Sequence, residues 1–393
     1  MFVPRLSHGQ QGLVEALVER GVTTTIAPLY YMHHNRELSL LPMGNQMGTA
    51  LDPCTHIRQK PWAHRPVGFR ALSFGNDPEP YDPDRAALSD DGWLDLALSP
   101  LNAARALGAT ILLSTFHVAG PVGSRGREIE LMLAQLAVDF FRRERIDEPP
   151  PMAAVPVERE IYATIAVRLS DLMSPSARSA LAEAYLAIDA DGFWVKIEGF
   201  HERASLEGIR AGGAFLGALR DGGRPVVSCG PGQLHLGLLT DDFCASIGLA
   251  ESERFVFPAT WPEKKKDDKP KGRTRMAYHP KFHWSFRVGS QEAARAFAAA
   301  PCECELHPAS KPPDGFVVGR HAAALRADQA REALDGERED RREWLLASST
   351  KASWAADDAK VNDKYTSTRR YEALFEGLDF GTEQVAPGEQ GEL

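Results

Sequence analysis

The chain has 393 residues, of which 43% are hydrophobic and 25% charged, and its 45 Lys and Arg against 54 Asp and Glu give a formal charge of -9. This balance is ordinary for a globular protein and argues against a general nucleic-acid coat, a disordered chain or a collagen. No stretch approaches the roughly 18 to 20 apolar residues of a membrane span, and the N-terminal residues lack the basic start and long apolar run that a signal peptide would have. The five cysteines do not form a disulfide framework, so we expect a reducing cytoplasm and no membrane partner.

Short apolar runs bounded by Gly, Pro or Asp alternate with amphipathic helical stretches over residues 1 to about 250. This alternation predicts right-handed crossovers and a parallel sheet. Eight such units fit a (β/α)8 barrel, and a doubly wound open sheet is the alternative. The predicted strands are Thr24–Tyr30, Thr49–Thr55, Arg70–Phe74, Thr110–Phe116, Ala153–Glu158, Gly192–Glu198, Pro225–Gly230 and Phe243–Gly248.

The sequence changes character after the predicted barrel, which we place at residues 1–255. Residues 256–277 contain a basic segment with Pro and Gly, which predicts a mobile loop. Residues 278–380 are predicted to form a C-terminal subdomain with a Cys/His cluster and helices, and residues 381–393 a disordered tail. The predicted fold is therefore a TIM-type (β/α)8 barrel with a C-terminal appendage that combines a zinc-knob-like segment and helices.

Functional side chains of such a barrel lie at the C-terminal ends of the strands. Alternation along the sixth run places Trp194, Lys196 and Glu198 on one face. A buried lysine can act as a Schiff-base nucleophile with Glu198 as its general base, and an internal ion pair is the alternative. Asp52 ends the second run, where it is a candidate general acid or base or a cap of the loop. His117, which follows the fourth run, is the remaining catalytic candidate.

Other strand ends supply candidate substrate contacts. His33 follows the first run, and Glu158 ends the fifth. The seventh run leads into a glycine loop whose backbone N–H groups can approach an anion or the edge of a base, although a tight turn explains two glycines equally well. The candidate binding residues of this loop are Cys229, Gly230, Gly232 and Gln233.

A Cys-x-Cys-x-x-His segment is the sharpest local signal in the chain, and a further histidine follows at the start of a predicted helix. Two thiolates and two imidazoles can complete a tetrahedral zinc site. His279 and His283 are competing ligands, and a chance occurrence is the alternative to a metal. The predicted ligands of a structural Zn²⁺ are Cys302, Cys304, His307 and His321.

A barrel followed by this segment resembles the queuine/guanine tRNA-ribosyltransferase superfamily, in which His307 would replace the third cysteine of the zinc knob. The resemblance implies exchange of a base on a nucleic acid, with Asp52 in the place of the acid/base aspartate. It also implies that the loop Val226–Gln233 recognises the base. The family's nucleophile follows a phenylalanine in the eighth strand, whereas here Asp241 and Asp242 precede Phe243.

The basic segment is a candidate contact for a phosphate backbone, and a solvated linker is the alternative. We therefore expect a barrel enzyme that performs base exchange or another N-glycosidic step on a nucleobase or nucleic acid. The alternatives are a Schiff-base lyase or aldolase using Lys196 and a non-catalytic nucleic-acid-binding subunit. The sequence is also compatible with a homodimer. The basic residues are Lys264, Lys265, Lys266, Lys269, Lys271, Arg273 and Arg275.

Overall fold

The computed structural model describes most of the barrel and of the C-terminal region. The predicted strand Arg70–Phe74 lies outside the described residues, as do the candidates His33 and Glu158 and the basic residues from Lys264 to Arg275. The described residues are 1–5, 13, 17–29, 48–54, 90–117, 120–147, 159–248, 276–315, 317–361 and 367–384.

Eight parallel strands close into a barrel, because the last strand pairs with the first. Helices flank the barrel, and the predicted (β/α)8 class is confirmed. Among the described residues, no helix combines the length and apolar character needed to cross a membrane. The strands are β1 Phe2–Arg5, β2 Thr24–Pro28, β3 Gly48–Asp52, β4 Ile111–Leu113, β5 Glu160–Arg168, β6 Gly192–Glu198, β7 Val226–Cys229 and β8 Cys244–Gly248.

Two barrel strands differ from the prediction. The first is β1, a run of four residues that was not among the predicted strands, since these begin at Thr24. It pairs with β2 and β8. The other is β5, which begins at Glu160, so the prediction that the fifth strand ends at Glu158 is wrong. Because β3 pairs directly with β4, the barrel also closes without a strand at Arg70–Phe74.

The helices that follow the strands begin with recognisable caps. Ser174 Oγ accepts a hydrogen bond from the backbone N–H of Ala177, and Ser205 Oγ accepts one from Gly208. Such caps satisfy N–H groups that have no partner within the helix. The helices of the barrel region are α1 Asp90–Ala106, α2 Arg125–Asp147, α3 Pro175–Leu186, α4 Leu206–Asp221 and α5 His235–Thr240.

Beyond the barrel, an antiparallel pair of strands precedes four helices within the described residues. The last helix extends to Gln384, which lies inside the segment predicted as a disordered tail. These elements are β9 Met276–His279, β10 Trp284–Arg287, α6 Gln291–Ala299, α7 Val317–Glu332, α8 Arg338–Asp358 and α9 Thr368–Gln384.

The last helix belongs to the helical layer of the barrel. Leu374 and Leu378 of α9 share one apolar core with Phe215 of α4 and Phe193 of β6. The two helices approach closely at Gly377, where an added Cβ would overlap the backbone of α4 at Arg210. The C-terminal region therefore completes the barrel's outer layer as well as carrying the Cys/His cluster.

Alternation along the strands separates an inner core from this outer one. Phe193, Val195 and Ile197 of β6 pack outwards with the helices. Trp194, from the opposite face of the same strand, packs inside the barrel with Val3 of β1. Residues that are an even number of positions from these inner side chains on the same strand therefore also point into the barrel. Those near the C-terminal ends of the strands line its mouth.

Candidate functional site at the barrel mouth and the cysteine–histidine cluster

Four strands bring charged side chains to the C-terminal end of the barrel. Each is an even number of positions along its strand from a residue of the inner core, such as Val3 on β1 or Trp194 on β6, and therefore lies on the same inward face. Ion pairs connect neighbouring members of the set. We call this set the mouth cluster, and it consists of Arg5, Asp52, Arg168, Lys196 and Glu198.

A buried ion pair occupies the centre of the mouth cluster. Lys196 Nζ lies 2.7 Å from Asp52 Oδ2, and both side chains are 1% exposed. Asp52 Oδ1 accepts a hydrogen bond of 3.0 Å from the backbone N–H of Cys54, and Arg5 lies 3.8 Å from Oδ2. The ammonium of Lys196 also lies 3.8 Å from the centre of the Phe116 ring. These are interactions of a protonated amine, so the geometry favours an internal ion pair over a Schiff-base nucleophile, and the partner of Lys196 is Asp52 instead of the expected Glu198.

Glu198 is the more accessible carboxylate of the mouth cluster. Its side chain is 14% exposed, compared with 1% for Asp52. Its carboxylate lies 3.6 Å from the guanidinium of Arg168, its neighbour in register on β5. A ligand that enters the mouth can therefore reach Glu198 while Asp52 remains covered.

Two further strand-end candidates are buried next to this pair. His117 is fully buried and directly follows Phe116, the residue that contacts Lys196. Cys54 is also buried, and burial together with the nearby carboxylate of Asp52 raises the pKa of its thiol well above the usual value. Cys54 is therefore a neutral thiol at ordinary pH, and its backbone N–H supports Asp52.

The glycine loop after β7 has a geometry that requires its glycines. Gly230 and Gly232 have φ angles of +73° and +59°. The backbone N–H of Gln233 donates to Glu202 Oε2 at 3.1 Å, and an added Cβ on Gly232 would overlap the same carboxylate. Cys229 faces the inner core where the loop begins. The loop is thus held in one conformation beside the mouth.

Glu202 is a carboxylate near the mouth that is not among the residues predicted from the sequence. It lies in the loop after β6, at the functional end of the barrel, and is only 4% exposed. A carboxylate so close to the end of a predicted strand is a usable signal, since strand-end loops of barrels carry functional side chains. Its bond to the loop after β7 depends on tertiary structure and has no local signature.

The predicted metal ligands come together in one cluster. The donor atoms of Cys302, Cys304, His307 and His321 all lie within 4.8 Å of one another. His321 Nδ1 is 3.9 Å from Cys302 Sγ, 3.3 Å from Cys304 Sγ and 3.0 Å from His307 Nε2. Tetrahedral sites with ordinary bond lengths separate two nitrogens by about 3.4 Å and a sulfur from a nitrogen by about 3.6 Å. The cluster has the dimensions of a site that can hold a metal ion.

Backbone carbonyls determine which nitrogen of each histidine faces the cluster. His321 Nε2 contacts the carbonyl oxygen of Tyr278, and His307 Nδ1 lies 3.0 Å from that of Pro308. Because a carbonyl oxygen only accepts hydrogen bonds, these nitrogens carry the hydrogens. The lone pairs of the other two nitrogens then face each other across 3.0 Å, which a shared cation would stabilise.

Burial keeps two of the ligands, Cys302 and His321, uncharged when no cation is present. It raises the pKa of the Cys302 thiol to about 12 and lowers the pKa of His321 to about 4. A neutral imidazole is already in its metal-binding form, whereas the thiol has to lose its proton. Metal binding would therefore release the proton of the Cys302 thiol.

The two competing histidines lie outside the cluster. His279 Nε2 donates a hydrogen bond of 2.7 Å to the carbonyl oxygen of Ala300. His283 Nε2 lies 3.0 Å from the hydroxyl of Ser348 on α8. Neither histidine belongs to the group of ligand atoms that converge, so the alternative ligand assignment is wrong.

The aspartates before β8 lie in ion pairs with the C-terminal helices. Asp241 is fully buried and pairs with Arg342 at 2.6 Å, and Asp242 pairs with Arg341 at 2.8 Å. Both precede the strand, so they lie at the end of the barrel opposite the mouth. The residues of β8 that face inwards are Cys244 and Ser246. The described part of β8 therefore presents no carboxylate to the mouth.

No protein-family model matches this chain, and no curated protein matches its sequence. The likeness to the tRNA-ribosyltransferases stays a prediction from the residues.

Proposed function

We propose that this protein is a zinc-stabilised (β/α)8 barrel of the queuine/guanine tRNA-ribosyltransferase type. We also propose that its mouth acts on the N-glycosidic bond of a nucleobase in a nucleic acid. The supporting observation is that one chain combines a closed eight-stranded barrel with four convergent thiol and imidazole ligands after the last strand. This combination is what the resemblance of the Cys-x-Cys-x-x-His segment implies.

Zn²⁺ fits the donor set of two thiols and two imidazoles. Four protein ligands leave no open position, so the ion would supply folding stability without taking part in catalysis. It would join α7, which carries His321, to the loop that carries Cys302, Cys304 and His307. His321 also contacts Tyr278 of β9, so the metal would position the antiparallel pair of strands as well.

Elemental analysis of the purified protein tests the metal. We expect one zinc per chain, lost in Cys302→Ser and in Cys304→Ser. Cys244→Ser is the matched control, because Cys244 lies on β8 and contacts the inner core of the barrel. A protein without metal, or one whose cluster variants keep the full amount, would contradict the assignment.

In the proposed reaction, Glu198 is the reacting carboxylate because it is more exposed than Asp52, which stays in its ion pair with Lys196. Glu198 attacks C1′ of the ribose or deoxyribose, a C1′–O bond forms and the C1′–N bond to the leaving base breaks. The leaving base takes up a proton from a water molecule in the mouth, since Asp52 and Lys196 are covered and paired. A nitrogen of the incoming base then attacks C1′, displaces Glu198 and gives its proton to the hydroxide that this water left. Protons and bonds balance over the exchange, and the strand-end position agrees with known barrel enzymes.

Incorporation of labelled guanine into RNA and into DNA tests this step. We expect Glu198→Gln to reduce exchange by at least about 100-fold, as for removal of a reacting group. Glu160→Gln is the matched control, since Glu160 is exposed at the opposite end of β5. Full exchange by Glu198→Gln would eliminate the assignment.

A non-catalytic nucleic-acid-binding subunit is the second candidate. The observation that favours it is the inward face of β8, where Cys244 and Ser246 stand and the resemblance would require an aspartate. This candidate predicts nucleic-acid binding without exchange, and binding that weakens when the basic segment from Lys264 to Arg275 is neutralised. Exchange above background by the wild-type protein would exclude it.

A further inference from the structure

The two thiols of the Cys/His cluster lie in one short loop at the protein surface. Cys302 is 6% exposed, and Cys304 is half-buried. The residues next to them in the loop, Glu303, Glu305 and Leu306, are exposed. A small oxidant can therefore reach Cys304 from the solvent, and such access is a property of oxidation-sensitive cysteines.

The fold of the loop brings the two sulfurs together. The backbone N–H of Cys302 donates a hydrogen bond of 2.8 Å to the carbonyl oxygen of Ala309, and Glu305 has a φ angle of +58°, so the chain turns back after Cys304. The two sulfurs lie within 4.8 Å of each other. Cα atoms two residues apart are separated by at most about 7 Å, and disulfides span Cα distances up to about 6.8 Å. A local adjustment of the loop can therefore join the sulfurs in a strained disulfide, which reductants cleave easily.

The composition of the cluster makes one disulfide sufficient to abolish the metal site. Cys302 and Cys304 would bind a cation as thiolates, whereas His307 and His321 would bind it as neutral imidazoles. A single disulfide consumes both thiolates, while a site with a third cysteine would keep one. The two imidazoles that remain supply only half of a tetrahedral site.

The other three cysteines are separate from the cluster. Cys54 and Cys229 are buried, and Cys244 contacts the inner core of the barrel from β8. All three are free thiols. Oxidation by a small reagent should therefore begin at the surface loop.

We propose that Cys302 and Cys304 are a redox-sensitive pair whose oxidation to a disulfide releases the metal ion. Hydrogen peroxide serves as the oxidant. The two thiolates lose two electrons and form the S–S bond, and the peroxide takes up these electrons with two protons to give two water molecules. This inference rests on the metal of the proposed function and is independent of the proposed reaction.

The contacts of α7 indicate what the oxidation changes. His321 of α7 contacts the carbonyl oxygen of Tyr278 on β9, so loss of the metal separates the cysteine loop from both elements. The helix itself stays packed, because its Ala323 and Ala327 belong to the apolar core of the barrel. Oxidation is therefore expected to lower the unfolding temperature while the circular dichroism spectrum is retained.

Peptide mapping of the zinc-loaded protein after treatment with hydrogen peroxide tests the proposal. Trypsin cleaves after Arg295 and Arg320 but not after Lys311, which precedes a proline, so the peptide 296–320 contains both cysteines of the cluster and no other. We expect this peptide to lose the mass of two hydrogen atoms while a chromogenic chelator detects the release of zinc. Dithiothreitol with added zinc should restore both the peptide mass and the metal content.

A matched variant and the alternative products make the test decisive. Cys244→Ser should release zinc at the wild-type rate. Zinc that stays bound in peroxide overturns this inference and leaves the metal site in place. The same holds for zinc that is lost while the peptide keeps its mass or gains oxygen atoms. A purified protein without zinc removes the metal site together with this inference, and neither result bears on base exchange.

Discussion

Replacing Asp52 with Asn tests the buried ion pair of the mouth. The amide keeps an oxygen for the backbone N–H of Cys54, so the substitution removes mainly the charge next to Lys196. At 2.7 Å and an effective dielectric constant of about 20, the Coulomb attraction is about 6 kcal/mol, and desolvation of both ions offsets part of it. Leaving one buried charge without its partner typically costs about 3 to 5 kcal/mol. We expect a loss of stability in that range, measured as a lower urea midpoint.

The double variant Asp52→Leu with Lys196→Met is the decisive control. It removes both charges, so it should recover most of the stability lost by either single substitution, as apolar replacements of buried pairs do. An Asp52→Asn protein as stable as the wild type would refute the reasoning, because Lys196 would then be shown not to depend on its carboxylate.

Three further substitutions have effects that follow directly from local geometry. Burial lowers the pKa of His283 from 6.5 to about 4, so stability present above pH 6.5 should fall by up to about 3 kcal/mol as the pH drops through 4, and His283→Gln should flatten that part of a urea-midpoint profile. Gly377→Ala should cost about 1 to 3 kcal/mol in urea unfolding, because its Cβ would overlap the backbone at Arg210 and push α9 away from α4. Gly232→Ala should abolish base binding in calorimetry. It should change the free energy of unfolding by no more than about 2 kcal/mol, since the overlap with Glu202 is confined to one loop. An unshifted pH profile in His283→Gln, an unchanged midpoint in Gly377→Ala or wild-type base binding by Gly232→Ala would contradict the respective argument.

The strands that sequence predicted well are those whose signals are local. β6 combines a run of β-formers with alternation, and the structure has Lys196 and Trp194 on the inner side as that pattern requires. β1 has only four residues and includes a proline, and its place in the sheet depends on β8, more than 240 residues away. β5 begins with Glu160 after a proline-rich stretch, and that stretch suggested a strand too early in the chain. Pairing over such distances has no signature in a window of ten residues.

The two parts of the candidate site differ in the same way. Three of the four ligands in the Cys/His cluster lie within six residues, and thiols and imidazoles already specify the class of ligand. The pair of Asp52 and Lys196 joins residues separated by 144 positions, so only the closed barrel brings them together. Sequence therefore named both residues as candidates, but it could not say that they neutralise each other.

That pairing changes which residue should carry any chemistry. Asp241 and Asp242 are held by arginines at the far end of the barrel, and Asp52 is covered and paired. Among the described carboxylates of the mouth cluster, Glu198 is the one that a ligand can touch without first breaking a buried ion pair. If the barrel is an enzyme, its nucleophile is therefore expected on β6, two strands away from the β8 position that the resemblance implies. If it is a binding subunit, the same carboxylate and its neighbour Arg168 form the rim that selects the ligand.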